Sequence, residues 1–206
     1  MSVVALISGR GSNMEALLDA GLPVSAVISN RPDARGLQVA AARGVATSVV
    51  DHKRFASREE FDGTLAAAID RHTPRLVVLA GFMRIQTPGF TARYAGRLMN
   101  IHPSLLPAFG GLDTHARALR DGVTLHGCTV HFVTADLDHG PIVIQAAVPV
   151  LGSDTPASLA ARVLRQEHVI FPRAVRWFLE GRLRIEGMRV IVAGAGQPDT
   201  ALSSPA

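Results

Sequence analysis

The chain has almost none of the residues on which disulfide-rich and metal-binding proteins depend. Cys128 is the only cysteine among the 206 residues, so an intramolecular disulfide and a CxxC metal or redox pair are both excluded. It stands in an apolar segment, which indicates a small core residue rather than a nucleophile. The eight histidines show no coordinating spacing, so we predict no metal. These features favour a reducing compartment, and we expect a cytoplasmic protein.

Aromatic residues and clustered charge are scarce as well. Lysine and arginine number 21 against 17 acidic residues, Lys53 is the single lysine, and aromatic residues make up 5% of the chain. Nucleic-acid surfaces usually combine dense positive charge with stacking rings, and this sequence has neither. We therefore expect small-molecule partners and no nucleic acid, with a monomer or a homodimer as the assembly.

Long hydrophobic runs are also missing. No apolar stretch reaches the length of a membrane-spanning helix. The apolar start of the chain ends at Ile7, before a polar segment that contains Arg10, and is too short for the apolar region of a signal peptide. We therefore expect no association with a membrane.

The segments that are present predict an α/β fold with a mostly parallel sheet. Short β-branched runs alternate in the first half with longer alanine-rich stretches of helical period, which is typical of βαβ units. The predicted strands are Val3 to Ser8, Val24 to Asn30, Thr47 to Val50 and Leu76 to Ala80. The predicted helices are Ser12 to Asp19, Ala34 to Arg43 and Arg58 to Arg71, the last with Ser57 as its N-cap.

The second half has a different pattern. Polar and apolar residues alternate from His126 to Thr134, and a second run from Ile142 to Val150 follows a Gly-Pro turn. This pattern predicts an antiparallel hairpin at one edge of the sheet. Helical spacing from Pro156 to Glu180 predicts a long helix. The small and polar composition of residues 194–206 predicts a disordered tail, and with the domain expected to end at residue 190 the tail is taken as residues 191–206.

A glycine-rich turn follows the first predicted strand. The segment Ser8-Gly-Arg-Gly-Ser-Asn13 leads into the first helix, where free backbone N–H groups and a helix N-terminus favour an anion. The alternative is a tight turn with Ser12 or Asn13 as a plain N-cap. A dinucleotide loop would need glycine at Met14 and an acid at Asn30, so the turn predicts a site for one phosphate monoester.

A second polar segment follows a short apolar run and reads Asn100-Ile-His102-Pro103. Residues two apart in an extended chain point to the same side, so an amide donor lies beside an imidazole near a strand end. That pair suits a carbonyl that becomes an oxyanion. The alternative is an ordinary turn with a histidine that has no role in catalysis.

A carboxylate for this histidine is available in a later turn. Asp138 can pair with His102, although Asp136 is an equal candidate from the sequence. A nearby carboxylate favours the imidazolium form of a histidine. The sequence therefore predicts that Asn100 and His102 hold a developing negative charge, while Asp138 orients the ring and assists proton movement. The alternative for Asp138 is a surface residue of a turn.

Five segments together resemble the phosphoribosylglycinamide formyltransferase family of purine biosynthesis. They are residues 8–13, 79–85, 100–107, 126–133 and 137–141, and the similarity covers roughly residues 2–186. The resemblance implies a three-layer, Rossmann-like formyltransferase fold. It also implies transfer of a formyl group from 10-formyltetrahydrofolate, a cosubstrate, to the amine of glycinamide ribonucleotide. We expect one domain over residues 1–190, with a phosphate-binding half at about 1–100 and a folate and catalytic half at about 80–190.

The resemblance also assigns residues to roles. It implies that Asn100, His102 and Asp138 are catalytic. The implied substrate-binding residues are Gly11, Ser12, Asn13, Met14, Glu15 and Glu167. The implied folate-binding residues are Arg58, Met83, Arg84, Ile85, Gln86 and Asn100, mainly through backbone groups.

Alternatives remain for several of these residues. Met83 and Ile85 can simply pack in the core, Arg58 can be a solvated helix charge, and Glu167 can be a surface acid. The sequence departs from the family pattern at Gln86, Gly110 and His139.

Other functions also stay open. A formyltetrahydrofolate deformylase and an aminoacyl-tRNA formyltransferase are the nearest enzymes, and the 206-residue length argues against their extra domains. A non-catalytic nucleotide-binding module is the alternative from another class.

Overall fold

The computed structural model describes residues 2–196, in which a single sheet lies between two layers of helices. The strands in this part are β1 Val3–Ile7, β2 Val24–Ser29, β3 Ala46–Val49, β4 Leu76–Leu79, β5 Leu98–His102, β6 Leu125–Phe132, β7 Ile142–Pro149, β8 Leu183–Glu186 and β9 Arg189–Val192. The helices are α1 Ser12–Asp19, α2 Arg35–Ala42, α3 Arg58–Asp70, α4 Pro88–Arg93, α5 Thr114–Arg120 and α6 Pro156–Leu179. None of the helices within residues 2–196 combines the length and apolar character that a bilayer crossing requires.

The order of the strands determines where a ligand can bind. It is β3-β2-β1-β4-β5-β6-β7-β9-β8. The first five strands are parallel, whereas β6 runs antiparallel to both β5 and β7. The chain builds outward from β1 to β3 and then crosses back to β4, so the order reverses between β1 and β4. Open α/β sheets bind ligands in the crevice beyond the carboxyl ends of the strands at such a reversal.

Alternate residues of β1 pack against opposite helical layers. Val3, Ala5 and Ile7 belong to a core that includes residues of α1 and α6. Val4 and Leu6 belong to a second core that includes residues of α3 and α4. All five side chains are fully buried. Burial on both faces explains why the sequence of this strand is continuously apolar.

The predicted fold class and the predicted helices and strands of the first half are confirmed. Their predicted ends lie within one residue of the observed ends. The start of α3 is capped as predicted, because Ser57 Oγ accepts from the N–H of Glu60 at 3.2 Å. The Glu60 carboxylate in turn accepts from the N–H of Ala56 at 3.2 Å. Together these contacts satisfy two N–H groups at the beginning of the helix.

The predicted antiparallel hairpin is present as β6 and β7, but its position at the edge of the sheet was wrong. The sheet continues from β7 through β9 to β8. These two strands are four residues each and pair antiparallel around a turn with Gly187 at φ 59°. Strands this short, with half-exposed and exposed side chains, have no clear polar–apolar period, so the sequence did not reveal them.

The predicted tail of residues 191–206 began too early. Ile191 and Val192 belong to β9, where they pair with Arg184 and Leu183. Cross-strand pairing therefore orders two apolar residues that the prediction had assigned to the tail. The rest of the predicted tail, from residue 197 onward, lies outside the described residues.

Candidate active site

Asn100 and His102 lie on the same face of β5, at its carboxyl end. The strand is flanked by β4, which places Leu79 beside Asn100, and by β6, which places His131 on the other side. Their separation of two residues in an extended strand gives both side chains one direction. The predicted juxtaposition of an amide and an imidazole is therefore present in the structure.

His102 is held between a backbone carbonyl and a carboxylate. Its Nε2 lies 3.1 Å from the carbonyl oxygen of Phe109, which can only accept, so Nε2 carries a hydrogen. Its Nδ1 lies 3.5 Å from Asp138 Oδ2. The same carboxylate oxygen accepts from the N–H of Gly111 at 2.8 Å. The second ring nitrogen therefore faces a carboxylate at a position where only 6% of the histidine is exposed.

His131 fixes the orientation of the Asn100 amide. Its Nδ1 lies 3.0 Å from the carbonyl oxygen of Phe132, so Nδ1 carries the hydrogen and Nε2 is free to accept. Asn100 Nδ2 lies 3.2 Å from that Nε2. Burial lowers the pKa of His131, which maintains the neutral ring that this arrangement needs. One amide hydrogen of Asn100 is thus engaged, and the other remains for a ligand.

Asp138, and not Asp136, is the carboxylate that faces His102. Asp138 has a left-handed backbone with φ 50°, which turns its side chain from the end of β6 back toward β5. Asp136 is exposed, and its carbonyl accepts from the N–H of His139. The turn closes at Gly140, where a Cβ would lie 1.9 Å from the carbonyl oxygen of Phe132. Only glycine fits there, so the local sequence determines the position of the carboxylate.

The glycine-rich turn forms the start of α1. Gly11 occupies the N-cap position with φ 81° and makes no side-chain cap, so the alternative that Ser12 or Asn13 is a plain N-cap was wrong. A Cβ at Gly11 would lie 2.9 Å from the Cα of Gly36. The turn therefore needs glycine for both its conformation and its close contact with α2. The first N–H groups of α1 point beyond the carboxyl end of β1, where they favour an anion.

A cavity of about 670 Å³ opens in front of this turn. We call it the anion cavity, because no carboxylate is among its lining residues and five basic side chains are. The lining includes the turn itself and residues that follow β2, β3 and β4, and its basic members are Arg10, Arg31, His52, Lys53 and Arg84.

Glu167 of α6 reaches the same turn from the other side. Its Oε2 accepts from Asn13 Nδ2 at 2.6 Å, and only 6% of the residue is exposed. The alternative that Glu167 is a surface acid was therefore wrong. Burial raises the pKa of Glu167, and the Asn13 bond opposes that shift. Asn13 Oδ1 is buried without a partner within residues 2–196, so the amide has one acceptor left for a ligand.

A second opening, which we call the β5 cleft, lies between the loop that joins β4 to α4 and the turn after β6. Its lining residues from these segments and from β5 include Arg84, Ile85, Gln86, Asn100, His131 and Asp138. Met83 and Ile85 are exposed at 64% and 53%, so the alternative that they pack in the core was wrong. Of the two, Ile85 lines the β5 cleft, where an exposed apolar side chain suits an apolar or aromatic ligand.

Comparison with known proteins agrees with this geometry. A family model described as formyl transferase matches residues 1–175 of the chain. The chain belongs to the formyl transferase family. It is 50% identical over 191 residues to phosphoribosylglycinamide formyltransferase of Escherichia coli (strain K12), with 90% of each chain covered.

Solved structures of a transformylase and of a deformylase superimpose closely on this one. Glycinamide ribonucleotide transformylase 1 of Symbiobacterium toebii has a TM-score of 0.91 and 47% identity, with 93% of each chain covered. Formyltetrahydrofolate deformylase of Burkholderia mallei has a TM-score of 0.83 and 31% identity, and the match covers 93% of this chain and 69% of that one.

Five of the expected binding residues do not line the opening expected for them, and one of these is Glu167, which contacts the glycine-rich turn but lines neither opening. Met14 is fully buried in the core next to α6. Glu15 lines a separate groove between α1 and α6 with His168. Met83 lines the anion cavity, although it was expected at the folate. Arg58 is exposed in the first turn of α3 and lines neither opening.

His131 contacts Asn100 in the site, but the sequence did not identify it as a site residue. It stood within a predicted strand, and its contact with Asn100 depends on the antiparallel pairing of β5 and β6.

The three departures from the family pattern lie close to the site. Gln86 lines the β5 cleft, a Cβ at Gly110 would meet Asp138 at 3.7 Å, and His139 directly follows Asp138 in the turn.

Cys128 has the role predicted for it. The residue is fully buried in β6, and burial raises the pKa of its thiol to about 12. A neutral, buried thiol is a poor nucleophile, so the cysteine contributes to packing.

Among the described residues, no group of three or more His, Cys, Asp and Glu side chains is arranged to hold a metal ion.

Proposed function

We propose that the chain transfers the formyl group of 10-formyltetrahydrofolate to the amine of 5-phosphoribosylglycinamide, giving the formylated amide and tetrahydrofolate. The observation that carries this proposal is the convergence of Asn100, His102 and Asp138 at the end of β5, beside a cavity suited to an anion. The names of the relatives from Escherichia coli and Symbiobacterium toebii support it.

The anion cavity is the proposed site of the acceptor's phosphate. The N–H groups of Gly11, Ser12 and Asn13 are oriented as a helix N-terminus, which binds phosphate through both hydrogen bonds and the helix dipole. Basic lining residues and the lack of carboxylates in the lining add to the attraction. Glu167 is proposed to accept from the ribose or glycinamide part of the acceptor, through the carboxylate oxygen that Asn13 does not use.

The β5 cleft is the proposed site of the formyl donor. Ile85 and Leu137 are exposed on the two sides of the opening, at 53% and 58%. They would cover the faces of a bicyclic ring while backbone groups of residues 84–86 bond its edge. Asn100 belongs to the same lining, so the oxyanion that forms from the formyl oxygen would meet its free amide hydrogen.

Asn100 and His102 would stabilise the transition state. The acceptor amine attacks the formyl carbon, a C–N bond forms, and the carbonyl electrons move onto oxygen. Asn100 donates its second amide hydrogen to this oxyanion, and the imidazolium of His102 places positive charge next to it. Such preorganised groups are most effective in a site that is shielded from water, and His102 and His131 are both at least nine-tenths buried.

Asp138 would accept a proton from the attacking amine and pass it on to His102. The attacking nitrogen becomes positively charged and passes one proton to the Asp138 carboxylate, directly or through water. The electrons of the oxyanion then re-form the carbonyl, the C–N bond to the folate breaks, and the folate nitrogen keeps that electron pair and takes the Nδ1 proton of His102. Asp138 then returns its proton to His102 across the 3.5 Å between Oδ2 and Nδ1. Both side chains are restored, and the net reaction moves one proton from the amine to the folate.

An absorbance assay tests the proposal. The purified protein is mixed with both substrates, and the folate absorbance is followed with and without the acceptor. We expect a change only when the acceptor is present. Release of formate without the acceptor would instead support a hydrolase like the deformylase from Burkholderia mallei. Binding of both substrates without turnover would support a non-catalytic binding module.

A further inference from the structure

The loop between β4 and α4, residues 82–87, has few backbone contacts of its own. It has no regular secondary structure, and no N–H group of residues 82–87 donates to a backbone carbonyl within residues 2–196. Yet Arg84, Ile85 and Gln86 from this loop line the β5 cleft. Loops without backbone pairing are normally mobile, so the lining of the cleft depends on whatever else holds the loop.

A buried serine holds the first end of the loop. Ser8 Oγ accepts from the N–H of Met83 at 2.7 Å and donates to Asn30 Oδ1 at 2.6 Å. A hydroxyl has one hydrogen, so the bond to Asn30 fixes its direction and leaves a lone pair for Met83. Ser8 and Asn30 are exposed at 4% and 2%. The loop is thus tied to the strand ends that border the anion cavity.

A buried aspartate holds the other end. Asp62 of α3 is 4% exposed, and its Oδ2 accepts from the N–H of Thr87 at 2.6 Å. Thr87 is the N-cap of α4, so this bond fixes the point where the loop becomes helix. A hydrogen bond to a charged acceptor is stronger than one between neutral groups. Between the two ends, the guanidinium carbon of Arg84 lies 6.0 Å from the ring of Phe61, also in α3.

We propose that Ser8 and Asp62 are positioning residues that hold the two ends of the β4–α4 loop, so that its backbone is preformed for the formyl donor. Neither side chain lines the β5 cleft, although Ser8 also borders the anion cavity, so at the donor site both act through the loop. This inference rests on the proposed function, because the loop binds the donor only if the cleft is the donor site. Preformed loops improve affinity by avoiding the entropy cost of ordering on binding.

Steady-state kinetics test the proposal through the split between KM and kcat. We expect Asp62→Ala to raise the KM for the formyl donor by about tenfold, the usual worth of a lost hydrogen bond to a charged group, with the KM for the acceptor unchanged. Asp62→Asn keeps an acceptor oxygen at the same place and should restore most of the loss. Ser8→Ala should raise the same KM by about three- to tenfold.

Matched controls separate this effect from a general loss of stability. Asp70→Ala removes a carboxylate from the same helix, but Asp70 accepts from Arg93 and Tyr94 at the far end of α4. Ser29→Ala removes a buried hydroxyl at the neighbouring strand end, where, within residues 2–196, this hydroxyl bonds only Arg31. Both variants should keep the wild-type KM for the donor.

Hydrogen exchange of the loop amides gives a readout that does not depend on activity. The amides of Met83 and Thr87 should exchange faster in Asp62→Ala than in the wild type and in Asp62→Asn. If the folded Asp62→Ala protein shows wild-type exchange and a wild-type KM for the donor, the positioning role is wrong. If the wild type transfers no formyl group, the proposed function fails instead, and exchange alone then decides whether the two residues hold the loop.

Discussion

At the residue scale, the Asn100 amide is expected to contribute to turnover and little to substrate affinity. One of its hydrogens is engaged by His131, and the other is proposed to meet the oxyanion, which forms only in the transition state. Removal of one such donor typically lowers turnover by about a hundred- to a thousandfold. We therefore expect Asn100→Ala to bind both substrates with nearly wild-type affinity, measured by calorimetry, and to have a kcat lower by that factor. Near-normal turnover in this variant would show that the role is wrongly assigned.

His131 should act through Asn100 and not independently. The ring accepts from Asn100 Nδ2 at 3.2 Å, so loss of the ring frees the amide to rotate. We expect His131→Ala to lower kcat by about tenfold, the order of one hydrogen bond. In the Asn100→Ala background the same change should have almost no further effect, because coupled residues are not additive. A double-mutant cycle in kcat measures this coupling, and purely additive losses would rule it out.

The residues of the site differ in how visible they are in the sequence. Asn100 and His102 could be predicted because both belong to one strand and share its two-residue period. Asp138 could be narrowed only to a choice with Asp136, because the left-handed backbone at Asp138 decides which carboxylate turns inward. His131 could not be identified, since it lies 31 positions from Asn100 and only strand pairing joins them.

At the element scale, His126 makes the stability of β6 depend on pH. The residue is 1% exposed, and neither ring nitrogen has a partner within residues 2–196. The rings of His115 and Phe109 pack against it at 5.2 and 5.7 Å between centroids. Burial, with a smaller effect of His115, lowers the pKa of His126 from its ordinary 6.5 to about 4. Between pH 6.5 and about 4, His126 therefore binds a proton in the unfolded chain but not in the folded protein.

The sign of this effect leads to a prediction. Stability from the neutral His126 is present above its ordinary pKa of 6.5 and is lost as the pH falls through about 4. His126→Leu removes the titrating group, so its free energy of unfolding should decline less on acidification, by on the order of 2 kcal/mol. Urea unfolding at neutral and at acidic pH measures the difference. Equal declines in wild type and variant would show that His126 does not contribute.

The turn from β6 to β7 should tolerate no side chain at Gly140. A Cβ there would lie 1.9 Å from the carbonyl oxygen of Phe132, so the turn that presents Asp138 has to move. We expect Gly140→Ala to lower the midpoint of urea unfolding and to reduce kcat by more than about tenfold. Gly152→Ala is the matched control, because nothing lies within 4 Å of its added Cβ. Similar stability and activity in the two variants would contradict this account of the turn.

The elements themselves were predictable in proportion to their length and periodicity. The helix of residues 156–179 and the apolar strands β1, β2 and β4 have strong patterns, and their predicted ends agree closely with the structure. The six-residue α4 was missed, although Thr87 caps it and Pro88 opens it, which is a usual signal for a helix start. The short pair β8 and β9 gave no comparable signal.

At the scale of the whole molecule, the site exists because distant parts of the chain meet at one edge of the sheet. The reversal of strand order between β1 and β4 opens the crevice in which the glycine-rich turn lies. Asn13 and Glu167 are 154 positions apart and share a hydrogen bond, so α6 holds the side chain of a residue that lines the anion cavity. The sequence indicated which segments carry polar groups, but their convergence depends on the long-range order of the strands.

The fate of a labelled formyl group tests the proposed transfer most directly. The protein is given a donor with ¹³C in the formyl carbon, together with the phosphorylated glycinamide acceptor, and the products are followed by ¹³C NMR. We expect the label to appear in a formamide of the acceptor, with tetrahydrofolate as the coproduct and no label in formate. Label that accumulates in formate while the acceptor stays unmodified would contradict the account.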